Sequence, residues 1–175
     1  MLRFAVCALL FALLPTSAFN MFDPASEKAK IRSICEQQVE SWRMRDFQGE
    51  SDVWAHESYI MKMLTNGTRT FTWETIGGQY AADFKDSASD YEPDFFTELS
   101  DFYIHINGKN AWVVFDQHQV FPDEVGKNQL YESLEVRFLE KIEGEWKIVF
   151  QLTGPYDSPT ANSSETETIS TRSQN

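Results

Sequence analysis

One hairpin constrains this chain more than any other stretch. Leu99–Asn107 and Ala111–Phe121 are long runs rich in β-branched and aromatic residues, joined through the turn sequence Asn107-Gly108-Lys109-Asn110. A two-residue loop there sets Ile106 against Ala111, Ile104 against Val113 and Phe102 against Phe115, so that face is buried. The opposite face pairs His105 with Trp112 and Tyr103 with Val114 and continues through Asp116 and His118. A third strand, Gln129 to Ile142, and a fourth, Trp146 to Thr153, follow. Their apolar sets are Leu134, Val136 and Phe138, and Ile148, Phe150 and Leu152. Placing both sets inward requires an odd-length loop at Glu143-Gly144-Glu145, with Gly144 at positive φ. The expected concave face is then apolar, with Gln117, Gln119 and Glu132 as polar exceptions.

The residues before this meander read mostly as helix. Asp23-Pro24 is an N-cap followed by proline at the first helical position, and Ile31, Ile34, Cys35, Val39 and Trp42 recur at helical spacing. Asp46 caps a shorter helix carrying Phe47, Val53 and Trp54, with Gly49 weakening it. Asn66-Gly67 turns Tyr59–Leu64 into Arg69–Trp73. Helical spacing returns through Ile76, Tyr80 and Phe84, against the opposition of Gly77-Gly78.

Residues 1–18 read as a secretory signal, with Arg3 ahead of the apolar run Phe4–Leu14 and small residues Thr16-Ser17-Ala18 before Phe19. The expected location is therefore exported, periplasmic or secreted. The run is too short to span a bilayer comfortably, so no stable membrane insertion is expected. Cleavage leaves Cys35 as the one cysteine, and no intramolecular disulfide can staple the fold. Residues 19–156 form the expected domain and 157–175 a Ser/Thr-rich disordered tail. A formal charge of -12 repels phosphate backbones and anionic lipid, which argues against nucleic acid as a partner.

The order helix, helix, hairpin, helix, long meander resembles the nuclear transport factor two-like superfamily, in its SnoaL-like branch. The resemblance is carried by Val39-Glu-Ser-Trp42 with Asp46-Phe47, Val53-Trp-Ala-His56, Trp73-Glu-Thr-Ile76, Asn110-Ala-Trp-Val113 and Glu143-Gly-Glu-Trp-Lys-Ile148. It implies an α+β, cystatin-like fold: a cone-shaped curved antiparallel sheet wrapped on N-terminal helices around a pocket. It also implies dimerisation through the outer sheet face. Members include isomerases, cyclases and dehydratases with an inward acid/base, and also non-enzymatic binding and assembly modules.

Within that frame Glu132 and His56 are the catalytic candidates. A carboxylate facing an apolar cavity has its pKa raised by desolvation, and a neutral imidazole beside the second helix can shuttle a proton or simply bond the helix end. Tyr59 offers a hydrogen bond to a ligand carbonyl. Trp42, Trp54, Trp73 and Trp146 offer a flat aromatic wall, and Phe115, Gln117, Phe138 and Phe150 are the further candidate ligand contacts. Tyr103, His105, Trp112 and His118 fall on the outer face, as a homodimer interface. No metal or other cofactor is expected, since no ligand spacing or phosphate loop occurs. The functional expectation is a cone binding a small, largely apolar molecule. The alternatives are a small isomerase-, cyclase- or dehydratase-type enzyme using Glu132 or His56, and a non-catalytic dimeric assembly module.

Overall fold

The computed structural model describes residues 23–85, 93–122 and 126–155. The leader expected at 1–18 and the tail expected at 157–175 lie outside the described residues.

Helix α1, Pro24–Met44, starts where Asp23 Oδ1 accepts from the Ala25 amide at 3.1 Å, and ends at Arg45 in the left-handed region. Helix α2, Phe47–Val53, packs close against it. A Cβ on Gly49 would stand 2.2 Å from Ser41 Oγ, so this glycine permits the helix contact. Strands β1, Met61–Met63, and β2, Arg69–Phe71, pair around the Asn66-Gly67 turn, and helix α3, Trp73–Phe84, follows. Then come β3, Phe96–Asn107; β4, Asn110–Pro122; β5, Asn128–Ile142; and β6, Glu145–Pro155. The sheet order is β2-β1-β6-β5-β4-β3, antiparallel throughout except for the parallel β1·β6 pair.

The central hairpin has the register its turn dictates: Ile106 opposes Ala111 and Ile104 opposes Val113. A bulge after Ser100 then brings Phe102 over Phe115, ring centroids 4.8 Å apart. Odd positions of β4 face the helices, where Val113 and Phe115 join Ile31, Cys35, Trp54, Ile76 and Ile148 in the core.

Strand β5 departs from expectation. It pairs Val113 with Arg137 and Phe115 with Glu135, so its odd positions face inward. Leu134, Val136 and Phe138 lie on the outer face, and Phe138 is 46% exposed. The β5–β6 turn has two residues, Glu143 and Gly144, both at positive φ, and not the odd-length loop expected. It places Trp146 and Ile148 inward. A bulge opposite Phe138 and Leu139 then turns Phe150 and Leu152 outward and Gln151 and Thr153 inward. The expected greasy chamber is therefore replaced by a polar one.

Glu27 fastens α1 to the β5–β6 hairpin. Its Oε2 accepts from Lys141 Nζ at 2.6 Å and Trp146 Nε1 at 2.7 Å, and its Oε1 from Lys30 Nζ at 2.8 Å. The Lys141, Lys30 and Trp146 hydrogen bonds hold its carboxyl down at about 2. This contribution to stability is complete above the ordinary carboxylate range and is lost as pH falls toward that value. Glu27→Gln is expected to cost about 1–3 kcal/mol near neutral pH, with the deficit shrinking in acid. Urea unfolding at a series of pH values checks this; a deficit independent of pH would contradict the anchor.

Candidate functional site

The concave side holds a cavity of about 270 Å³. Gln38, Val39 and Trp42 from α1 line it, with Lys62 from β1, Tyr80 from α3 and the inward side chains of β4, β5 and β6. Most of the residues that line it are polar. Gln117, Gln119, Ser133, Glu135, Arg137 and Gln151 are all buried there.

Glu135 and Arg137 form its floor. Arg137 NH1 donates to Glu135 Oε2 at 2.7 Å, with both side chains almost fully buried. Residues i and i+2 on a strand point to the same face, so this pair follows from local geometry. Ser133 Oγ donates to Glu135 Oε1 at 2.9 Å and Thr153 Oγ1 to Oε2 at 3.0 Å. Arg137 NH2 donates to Gln38 Oε1 at 2.9 Å, and the guanidinium sits 5.3 Å from the centroid of the Phe115 ring. These bonds offset much of the cost of removing both charges from water.

A second buried carboxylate stands behind Gln38. Glu50 Oε1 accepts from Gln38 Nε2 at 3.1 Å, and Oε2 from Trp54 Nε1 at 3.1 Å. Burial pushes Glu50 up to about 7, and burial likewise lowers the Lys62 ammonium and raises the Tyr80 phenol. Lys62 Nζ lies 4.1 Å from the centroid of the Tyr80 ring.

Three buried polar atoms on residues that line the cavity have no hydrogen-bond partner: Gln119 Nε2, Arg137 Nε and Gln151 Oε1. Orphaned groups of this kind are rare in folded proteins, and here three occur on residues of one cavity lining.

The residues singled out from sequence scatter over several surfaces. Trp42 and Gln117 line the cavity. Phe115 lies in the core beneath Arg137, and Trp54 lies one layer behind the wall as a partner of Glu50. Trp73 stacks with His56 at 4.5 Å and with Phe47 at 6.4 Å, away from the lining. His56 Nε2 bonds the Ser51 carbonyl at 2.9 Å, at the end of α2. Tyr59 is exposed and donates to Glu140 Oε2 at 2.7 Å. Phe138 and Phe150 meet on the outer face, ring centroids 5.4 Å apart. Glu132 is also on the outer face, where its Oε1 lies 3.0 Å from His118 Nδ1. It faces no apolar cavity, because β5 is turned over relative to expectation.

Glu50, Gln38, Glu135, Arg137 and Tyr80 escaped the sequence reading. A signal was present for the helical ones. Gln38 is three residues after Cys35, and Glu50 is three and four residues before Val53 and Trp54, so all lie on buried stripes.

No family model matches the chain, and no curated protein matches it. Solved structures do. The chain is similar to the association domain of C. elegans CaMKII, at TM-score 0.62 and 18% identity, over 74% of this chain and 96% of that one. It is similar to a nuclear transport factor 2-like superfamily protein of Salmonella enterica serovar Typhimurium, at TM-score 0.62 and 18% identity, over 79% and 97%. A Pseudomonas putida protein of unknown function, also nuclear transport factor 2-like, aligns at TM-score 0.61 and 16% identity, over 78% and 92%. The protein therefore has the nuclear transport factor 2-like, cystatin-like α+β fold, with a curved sheet and a cavity on its concave side. At these identities the likeness is one of fold.

Proposed function

We propose that this protein is an exported binding module whose cone holds a small polar molecule. One observation carries the reading: Gln119 Nε2, Arg137 Nε and Gln151 Oε1 lack partners on three residues that line a single cavity. A buried polar group without a partner costs about 1–3 kcal/mol, and a bound molecule relieves several such costs together. The polar lining argues against the largely apolar ligand expected from sequence. Glu132 and His56 stand outside the cavity, so a molecule held there does not meet the acid or base of the enzyme alternative. Export rests on the leader reading of residues 1–18, and the SnoaL-like branch on the sequence resemblance alone.

Titration calorimetry with small polar molecules tests the chamber. Saturable one-site binding is expected in the wild type, weakened about tenfold or more in Gln119→Leu. Equal heats in wild type and variant, or none with any compound, would contradict it.

A second reading concerns assembly, and the outer face favours it. His105, Trp112, Phe138 and Phe150 stand in one row across β3 to β6, and Tyr103 lies 5.1 Å from Trp112. Tyr103, Trp112 and Phe138 are exposed large rings on one face, the kind of surface that a second copy covers. The C. elegans neighbour is itself an association domain, which supports this reading. Sedimentation velocity is expected to give a dimer that Phe138→Asp converts to monomer. A wild-type monomer, or a dimer untouched by the substitution, would refute it.

A further inference from the structure

The geometry points to an anionic occupant of the chamber, a small carboxylate, whose binding is coupled to uptake of a proton by Glu50. This rests on the chamber reading above and adds the charge of the ligand and its linkage to pH.

The donor count comes first. Arg137 Nε and Gln119 Nε2 are unpaired and can only donate. Gln151 Oε1 is the lone obligate acceptor among the unpaired atoms. Lys62 adds an ammonium to the same wall. A partner for such a set is rich in acceptors, and a carboxylate presents two oxygens to a guanidinium edge and its neighbours.

The charge balance comes second. Arg137 and Lys62 are the cations around the cavity, and Glu135 lies directly against Arg137. Glu50 is the remaining buried carboxylate (Asp83 of α3 is exposed and screened by water), joined to Arg137 through the Gln38 amide: Gln38 Nε2 donates to Glu50, and Arg137 NH2 donates to Gln38 Oε1. The groups acting on Glu50 are Lys62 from β1, Arg137 from β5 and Tyr80 from α3, with Gln38 and Trp54 as its hydrogen-bond donors. Asp83 and Glu135 act in turn on Lys62. With Glu50 ionised the two cations and two carboxylates cancel, and an added anion leaves an uncompensated negative charge in a dry site. With Glu50 protonated the site carries one spare positive charge, and the anion neutralises it. Glu50 is poised for that change, because burial has already brought its carboxyl up to about 7.

The sign of the linkage follows. A bound anion raises Glu50 further, so affinity is highest where Glu50 is already protonated. Above that range affinity falls with rising pH, by at most about tenfold per pH unit. Loss of the Lys62 proton would act in the same direction, so a Glu50 variant is needed to separate the two.

Calorimetry with acetate and benzoate against acetamide and benzamide, between about pH 6 and about pH 8.5, tests the inference. Carboxylates are expected to bind more tightly than their amides, and to weaken as pH rises. Repeating the titration in buffers of different ionisation enthalpy counts the protons taken up, with up to about one expected near neutral pH. Glu50→Gln is expected to bind acetate with a flat pH profile; the proton count in the wild type stands even where that variant folds poorly. Amides binding as well as carboxylates, no proton uptake, or an undiminished pH slope in Glu50→Gln would overturn the inference while leaving the chamber intact. Binding of neither class would remove the chamber reading itself.

Discussion

The Glu135–Arg137 ion pair at the floor of the cone decides how the rest of the protein is arranged. Two charges are kept from water on adjacent inward positions of one strand. That placement is tolerable only where the remaining oxygens and N–H groups find partners. Ser133 and Thr153 serve Glu135, and Gln38 serves Arg137, drawing β5, β6 and α1 to one point. Gln38 in turn carries the network to Glu50 and Trp54, and so to α2. A chain of side chains thus runs from the middle of the sheet into both helices. Several of its members, Gln38, Ser133, Glu135, Arg137 and Thr153, line the cavity.

Much of the architecture was legible in the sequence. The Asn107–Asn110 turn fixed the β3–β4 register, and the Asn66-Gly67 turn gave the β1–β2 hairpin. Asp23-Pro24 marked the start of α1. What failed was the orientation of β5. Judged by apolarity, its even positions belonged inside. Yet β5 enters after the 122–128 connection, whose Pro122-Asp123 and Gly126 mark a turn without setting the parity of the strand that follows, and the bulge near Phe138 shifts β6 by one residue. A strand with one apolar and one charged face normally buries the apolar one. Here the charged face is buried with most of its groups bonded, and the apolar face lies on the outside of the sheet.

The same inversion explains why the candidate residues dispersed. Glu132, Phe138 and Phe150 were chosen on the parity that fails, and each stands on the outer face. Trp42 and Gln117 were chosen from α1 and β4, whose orientation the hairpin and the helical stripe determine, and both line the cavity. The two faces of the sheet thereby divide the work. The concave face holds bonded charge, while the convex face holds a row of aromatic rings.

The orientation of β5 is tested most directly by the coupling between Glu135 and Arg137 in a double-mutant cycle. Arg137→Met alone is expected to cost about 3–5 kcal/mol in equilibrium unfolding, because it strands a buried carboxylate. The double variant with Glu135→Gln is expected to regain most of that loss, since no unpaired charge remains. Losses of about 0–1 kcal/mol in both variants, the size found for pairs on an open surface, would contradict a buried polar floor and return β5 to the opposite orientation.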